Sequence, residues 1–476
     1  MAWRPREGEM GDFWFLEGPD ALHMYYLMKG SPSPQGFRDV GIGHATSADG
    51  IRWAEHEPIM LRGAPGAFDD AAIYTGSGIT IEGRHYILYT GIHSGDHTQR
   101  SGLLTSDDLH HWQRHEGNPV MEPDPRWYET EADYAGGKYI SWRDPWLWHN
   151  PDDGFCYAFV TATARGDTPR HERGCIGLAR SRDLRQWEIL PPVSATGMFH
   201  DLEVPQVFEL NGRWYLIHLM CMWRYSQRAF EARPPELWLD GTYYMVADHP
   251  LGPWHIPEHD VIAGCRGHAP LAARVQQVGG DLLLYAWGPR RRELSVPMKV
   301  AADPDGRLRA CYWHGLDTCA SGDLCPAPPQ ARAGVWQMGE APSGRPQDWA
   351  AVAGYGVEGR DLMVTATASP TPGAAMGLGV SCGDRTLAGV LDGALGVARI
   401  VDLPARHVLG ESPWCAAADG PVRLRLIADG EVVTLYANDE FAATAYIAER
   451  PPGEAQLVVE RGSARFTDVE GCALDL

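Results

Sequence analysis

The chain has 476 residues, 44% of them hydrophobic, and 62 acidic against 41 basic side chains, for a formal net charge of −21. That length suits two or three domains with full cores, and the acidity excludes a protein that wraps nucleic acid or docks on an anionic membrane, since both need basic surface. Residues 1–10 have no apolar core of the length a secretion signal needs, and no later run could span a bilayer, so a cytoplasmic protein is expected.

The ten cysteines show no Cys-x-x-Cys pairs, and the triplet Cys311, Cys319 and Cys325 has no metal-site spacing, which predicts buried free thiols. Neither a metal nor a cofactor is expected.

In chain order, a short run carrying Tyr or Phe, opened by Gly or Asp, appears at 20–27, 83–89, 154–160, 212–218 and 280–286. Each reads as a β-strand entered from a tight turn. A second signature follows the first four, a strand leading through a turn to tryptophan: 43–53, 102–112, 177–187 and 244–254, ending on Trp53, Trp112, Trp187 and Trp254. The fifth copy, 299–308, is degraded. Short strands at even spacing with one aromatic per unit are what propeller blades need, because each small sheet buries its faces only against its neighbours. The pattern stops near Thr318. A Gly- and Pro-rich linker, 319–334, precedes runs at 362–367, 422–427, 431–436 and 455–460 that alternate with Gly- or Asp-bearing turns, as in an antiparallel sandwich. The expected fold is all-β: a five-bladed β-propeller over 1–318 followed by a C-terminal β-sandwich over 335–476.

The innermost strand of each blade lines the axis, so a residue at one fixed offset in every unit points into a shared funnel. Asp12, Asp144 and Glu203 precede the first, third and fourth Gly- or Asp-led runs at about the same offset. Asp144, in Ser141-Trp142-Arg143-Asp144-Pro145-Trp146, sits beside Arg143 between tryptophans, and burial would require it to be paired, by Arg143 or by a polyhydroxylated ligand. Three converging acids repel unless one holds a proton, and that is how a general acid comes to stand beside an ionised carboxylate. Cleavage of a glycosidic bond uses such a set; Ca²⁺ binding is the rival use. Candidates to wall the funnel are Trp14, Trp53, Tyr74, Trp142, Trp223 and Trp287, core packing being the expected fate of at least half. Asp70 borders the site or serves a turn, and His268 takes the axial position of the fifth unit.

These blocks resemble glycoside hydrolase family 32, the invertase, levanase and inulinase group. Gly11-Asp12 looks like its nucleophile block, Tyr74-Thr75-Gly76-Ser77-Gly78 like its Ser-Gly-Ser block, Arg143-Asp144-Pro145 like its Arg-Asp-Pro block, and Glu203-Val204-Pro205-Gln206 like its Glu-Cys-Pro block. The resemblance implies a propeller followed by a sandwich and a carbohydrate substrate. It makes Asp12 the nucleophile, Glu203 the general acid/base and Asp144 the transition-state stabiliser, with Arg143 holding its geometry and Ser77 at the sugar. It implies a retaining route through a covalent fructosyl intermediate, with carboxyls about 5–5.5 Å apart, or fructosyl transfer where the pocket keeps water out. The sequence departs from the pattern at Phe13, Val204 and Gln206, and no asparagine precedes Asp12. An inverting arabinosidase-like enzyme and a non-catalytic carbohydrate-binding propeller stay open, and a homo-oligomer is compatible with the sequence.

Overall fold

The computed structural model describes residues 3–33, 36–130, 141–287, 293–321, 329–414 and 420–476. The first two thirds form five meanders of four antiparallel strands each, spanning 9–61, 72–114, 142–195, 203–265 and 271–311. Their first strands are Glu9–Glu17, Ala72–Ile81, Trp142–His149, Glu203–Leu210 and Leu271–Val278. Each packs on the next, and the fifth packs back on the first, so the five line one axis and the ring is closed.

The second sequence signature has a chemical cause. Asp108 Oδ1 accepts from the His110 and His111 amides at 2.9 and 2.7 Å, and Ser106 Oγ accepts from the Leu109 amide at 3.0 Å. The same pattern recurs with Ser47 and Asp49 and with Ser181 and Asp183. These side chains satisfy the turn amides that the ladder leaves free. The tryptophan then closes the turn, Trp112 and Trp187 donating to the Leu109 and Leu184 carbonyls at 3.1 and 3.0 Å. The residue after Asp108 or Asp183 has a left-handed backbone (Leu109 φ 65°, Leu184 φ 61°), and the first blade places Gly50 there at φ 76°.

The last third is a sandwich. Its inner faces meet in a core that includes Leu378, Leu387, Leu426, Leu435 and Leu457, all fully enclosed. One of its sheets is continuous with the fifth blade, whose last strand, Leu308–Cys311, pairs with Glu440–Tyr446 through Cys311 and Glu440. The stretch expected to be a linker supplies two short strands, Ala320–Ser321 and Gln330–Ala333, that pair into the sandwich sheets; its residues 322–328 lie outside the described residues. Among the described residues helix is confined to short turns, chiefly an insertion in the fourth blade holding Met222–Arg224 and Gln227–Ala232, the latter capped by Ser226 Oγ. Among the described residues no helix is long and apolar enough to cross a membrane.

Candidate active site

Every innermost strand carries a β-bulge at the same end. The ladder slips between Met10 and Phe13, Tyr74 and Gly76, Arg143 and Trp146, Glu203 and Gln206, and Leu271 and Arg274. A bulge sets an extra residue against the partner strand and re-aims its side chain. Asp144, Val204 and Ala272 each take positive φ, 56°, 55° and 47°, as the first bulged residue. Pro145 and Pro205 follow directly, where the lack of an N–H costs no ladder bond. The common offset expected for the three acids is therefore a stagger: Glu203 stands just before its bulge, Asp144 is the first bulged residue, and Asp12 is the second. The sequence offset hid this because a bulge adds a residue without a compositional mark.

The stagger lets unequal surroundings meet. Thr75, in the bulge of the second blade, donates to Asp12 Oδ2. Burial raises the Asp12 carboxyl above its ordinary value, against the pull of Thr75 and of Lys29. Asp144 is buried and accepts from Thr161 Oγ1 at 3.1 Å and from the Val204 amide at 3.2 Å, with Arg143 Nε 3.5 Å away. Burial lifts its carboxyl to about 7; Arg143 opposes the rise, and the charges of Glu203 and Asp12 add to it. The three carboxylates thus share one electrostatic neighbourhood.

Glu203 is held differently. Its Oε1 accepts from Arg143 Nη2 and, at 2.6 Å, from Arg224 Nη2. The same two arginines donate to the buried Asp201 at 3.1 and 2.6 Å, and Ser141 Oγ reaches its other oxygen at 2.7 Å. Burial alone would raise Asp201, but Arg143, His200 and Arg224 hold it well below the usual carboxylate range. A third guanidinium, Arg274 of the fifth blade, is fully buried and donates to the Val204 and Pro205 carbonyls at 3.2 and 2.7 Å. Burial pulls it down to about 10 despite Asp144 and Asp12. Four carboxylates (Asp12, Asp144, Asp201, Glu203) and three guanidiniums (Arg143, Arg224, Arg274) therefore meet where all five blades converge, and pairing is what makes their burial tolerable. Among the described residues no group of three or more His, Cys, Asp or Glu is disposed to hold a metal ion.

Asp12, Arg143, Asp144 and Glu203 are brought together, and Tyr74 stands beside Thr75, its ring 6.3 Å from Phe37. Trp14 and Trp142 are wholly enclosed within blade packing, against Tyr25 and Tyr128. Trp53 stacks on Phe15 at 5.7 Å, and Ser77 Oγ accepts the Leu147 amide at 2.8 Å, tying the second blade to the third. Asp70 staples two loops through Gly66 and Ser94. Trp223, His268 and Trp287 line a separate cavity against the sandwich. Asp201, Arg224, Arg274 and Thr75 were not singled out from sequence. A charged Arg274 inside the strand Leu271–Val278 and the place of Thr75 within the Tyr74–Gly78 block were the available signals; Asp201 and Arg224 carried none.

A closed five-bladed propeller backed by a sandwich, with carboxylates from three blades gathered at one axial end, defines the class of protein. Residues 15–250 match the family described as "Glycosyl hydrolases family 32 N-terminal domain", and the chain belongs to that family. Levansucrase LscA of Pseudomonas savastanoi pv. glycinea is 29% identical over 160 residues, covering 28% of this chain and 36% of its own length. Sucrose-6-phosphate hydrolase of Klebsiella pneumoniae is 28% identical over 262 residues, 52% of this chain and 49% of its own. The chain thus spans 36% to 49% of these curated relatives. Among solved structures, a Bombyx mori GH32 β-fructofuranosidase superposes with a TM-score of 0.73 at 16% identity, covering 99% of this chain and 93% of that one. Fructan 1-exohydrolase IIa from Cichorium intybus gives 0.73 at 15%, covering 100% and 96%. At those identities the likeness is one of fold.

Proposed function

We propose that the protein is a retaining glycoside hydrolase acting on β-fructofuranosides. The observation that carries this is the axial cluster, in which three carboxylates from three blades share one field while differing in their partners. Asp12, partly open to the axis, attacks the anomeric carbon as Glu203 gives its proton to the departing glycosidic oxygen, leaving a fructosyl ester on Asp12. Water then attacks the same carbon, Glu203 takes its proton, and the ester bond to Asp12 breaks. Asp144 accepts sugar hydroxyls and offsets the positive charge that grows on the ring. Arg143 and Arg224 act as positioning residues for Glu203. If another sugar takes the place of water, the same ester yields fructosyl transfer. The printed names of the relatives, levansucrase and sucrose-6-phosphate hydrolase, support a sucrose-type substrate.

We assign the chemistry to the propeller, 1–318, and a stabilising role to the sandwich, 335–476. Gln206, one of the departures from the family pattern, is spent on structure: its amide makes two hydrogen bonds with the Val275 backbone, at 2.6 and 2.8 Å.

The test is turnover of sucrose, 1-kestose, inulin and levan, with NMR of the first-formed anomer. Asp12→Asn and Glu203→Gln should each lower kcat about 10³-fold or more. Inversion at the anomeric carbon, or full activity in Asp12→Asn, would overturn the mechanism; no turnover of any fructoside would overturn the substrate class.

A further inference from the structure

A cavity of about 270 Å³ lies between the fourth and fifth blades and the sandwich. Two of its wall residues, Cys221 and Trp223, adjoin residues that pair with or hold Glu203. Cys221 in its wall follows the strand Arg213–Met220, whose Leu219 pairs with Glu203, and the Cys221 thiol is pushed up to about 12 by burial and then by the charges of Asp240 and Glu203. Trp223 carries the Arg224 guanidinium 4.0 Å above its ring, and Arg224 holds Glu203. Trp287 donates to the Met10 carbonyl at 3.0 Å, two residues before Asp12. A leaving group departs toward its proton donor, and Glu203 is tied to this wall through Leu219, which precedes Cys221 by two residues, and through Arg224 over Trp223.

The chemistry of the wall decides what that group is. Its apolar side chains, Leu271, Ile427, Val432 and Phe441 among them, face the cavity. Its polar groups are largely engaged within the protein. Thr434 and Thr444 hydroxyls bond each other at 3.0 Å, His268 Nδ1 meets the Leu409 carbonyl at 3.2 Å, and Asp240 accepts the Met222 amide at 2.7 Å. A second sugar would bring several hydroxyls and find few free partners, at a desolvation cost, whereas an apolar ring or chain would lose only its contact with water. The volume is nearly twice the ~150 Å³ of an apolar cavity that accepts benzene.

We infer that this cavity binds an apolar aglycone, aryl or alkyl, of a β-fructofuranoside substrate. The inference rests on the reading of the axial cluster given above. The trial compares methyl, benzyl and octyl β-fructofuranosides, whose leaving groups are all alcohols, with sucrose alongside. KM should fall about ten-fold or more from methyl to benzyl and octyl, which is the scale of gain that burying one apolar ring supports. Val432→Arg should erase that gain and leave the methyl fructoside unchanged; should that variant fail to fold, Val432→Phe fills the same space with apolar volume. Equal KM across the series, or sucrose preferred over benzyl and octyl, would overturn the inference and leave the hydrolase reading intact. Octyl glucoside, which carries no fructose, separates the two the other way. If no fructoside is cleaved, quenching of tryptophan fluorescence by octyl glucoside that Val432→Arg abolishes would uphold the apolar site alone, and its absence would sink it.

Discussion

Asp144 pays for its position twice. Its backbone sits at φ 56°, a conformation non-glycine residues rarely adopt, and its carboxyl is buried beside two other acids. Because burial lifts its pKa from 3.8 to about 7, the folded chain binds a proton there more tightly than the unfolded chain does. Ionising Asp144 therefore destabilises the fold progressively as pH rises from about 3.8 to about 7, and the loss is complete above that window. Asp144→Asn should be more stable than wild type by about 2–4 kcal/mol at pH 8 and indistinguishable from it at pH 4, while kcat falls about 10³-fold. Urea unfolding at the two pH values checks the first part. A variant no more stable than wild type at pH 8 would show that Arg143, Thr161 and the Val204 amide already compensate the buried charge.

Elements meet through side chains that no single strand explains. The first blade presents His23, His44 and His56 from its second, third and fourth strands, and the second blade closes over them with His110 from its capped turn. His23 and His44 share a hydrogen bond of 2.9 Å, and Thr46 holds His56 at 2.8 Å. Burial, reinforced by neighbouring imidazoles, lowers His23 to about 4 and His44 to about 3; Asp108 pulls the other way on His23. These histidines are neutral in the fold but protonate near 6.5 when unfolded, so their contribution is whole above that pH and is lost as pH falls toward 4 and 3. Stability should drop by about 2 kcal/mol between pH 6.5 and 4 from this blade junction. His44→Gln, which keeps a hydrogen-bonding side chain without the titration, should flatten that slope in denaturation curves taken across the range. An unchanged slope would place the acid sensitivity elsewhere.

At the scale of the whole molecule, the fifth blade and the sandwich share a sheet and a core. Tyr312, just past the blade's last strand, lies under the Arg425 guanidinium at 3.5 Å and edge-on to Tyr436 at 5.7 Å. Arg425 is buried and also pairs with Asp439 at 3.1 Å. Arg425→Ala should cost about 2–4 kcal/mol, because it removes the nearer of Asp439's two ion-pair partners and strips the ring of its cation. Calorimetry should then resolve two transitions where the wild type shows one, if the junction couples the two parts; a single transition would mean that the shared sheet suffices.

The repeat, the sandwich and the acids at the blade starts were legible because they are written in local chemistry. Strand alternation, the Ser-x-Asp turn with its tryptophan, and an acid beside a proline need only a few neighbouring residues to be recognised. Ring closure is what brings Asp201, Arg224 and Arg274 around Glu203 and Asp144, and it links residues far apart along the chain, Asp144 and Arg274 being 130 positions apart. The tryptophans show the same divide: Trp14 and Trp142 are core and Trp223 is 73% exposed, although each reads alike in sequence. Composition and periodicity decided which strands form and how many blades they make. Only the closed ring decided which charges face one another, since electrostatic pairing depends on distance through space and leaves no mark on spacing along the chain.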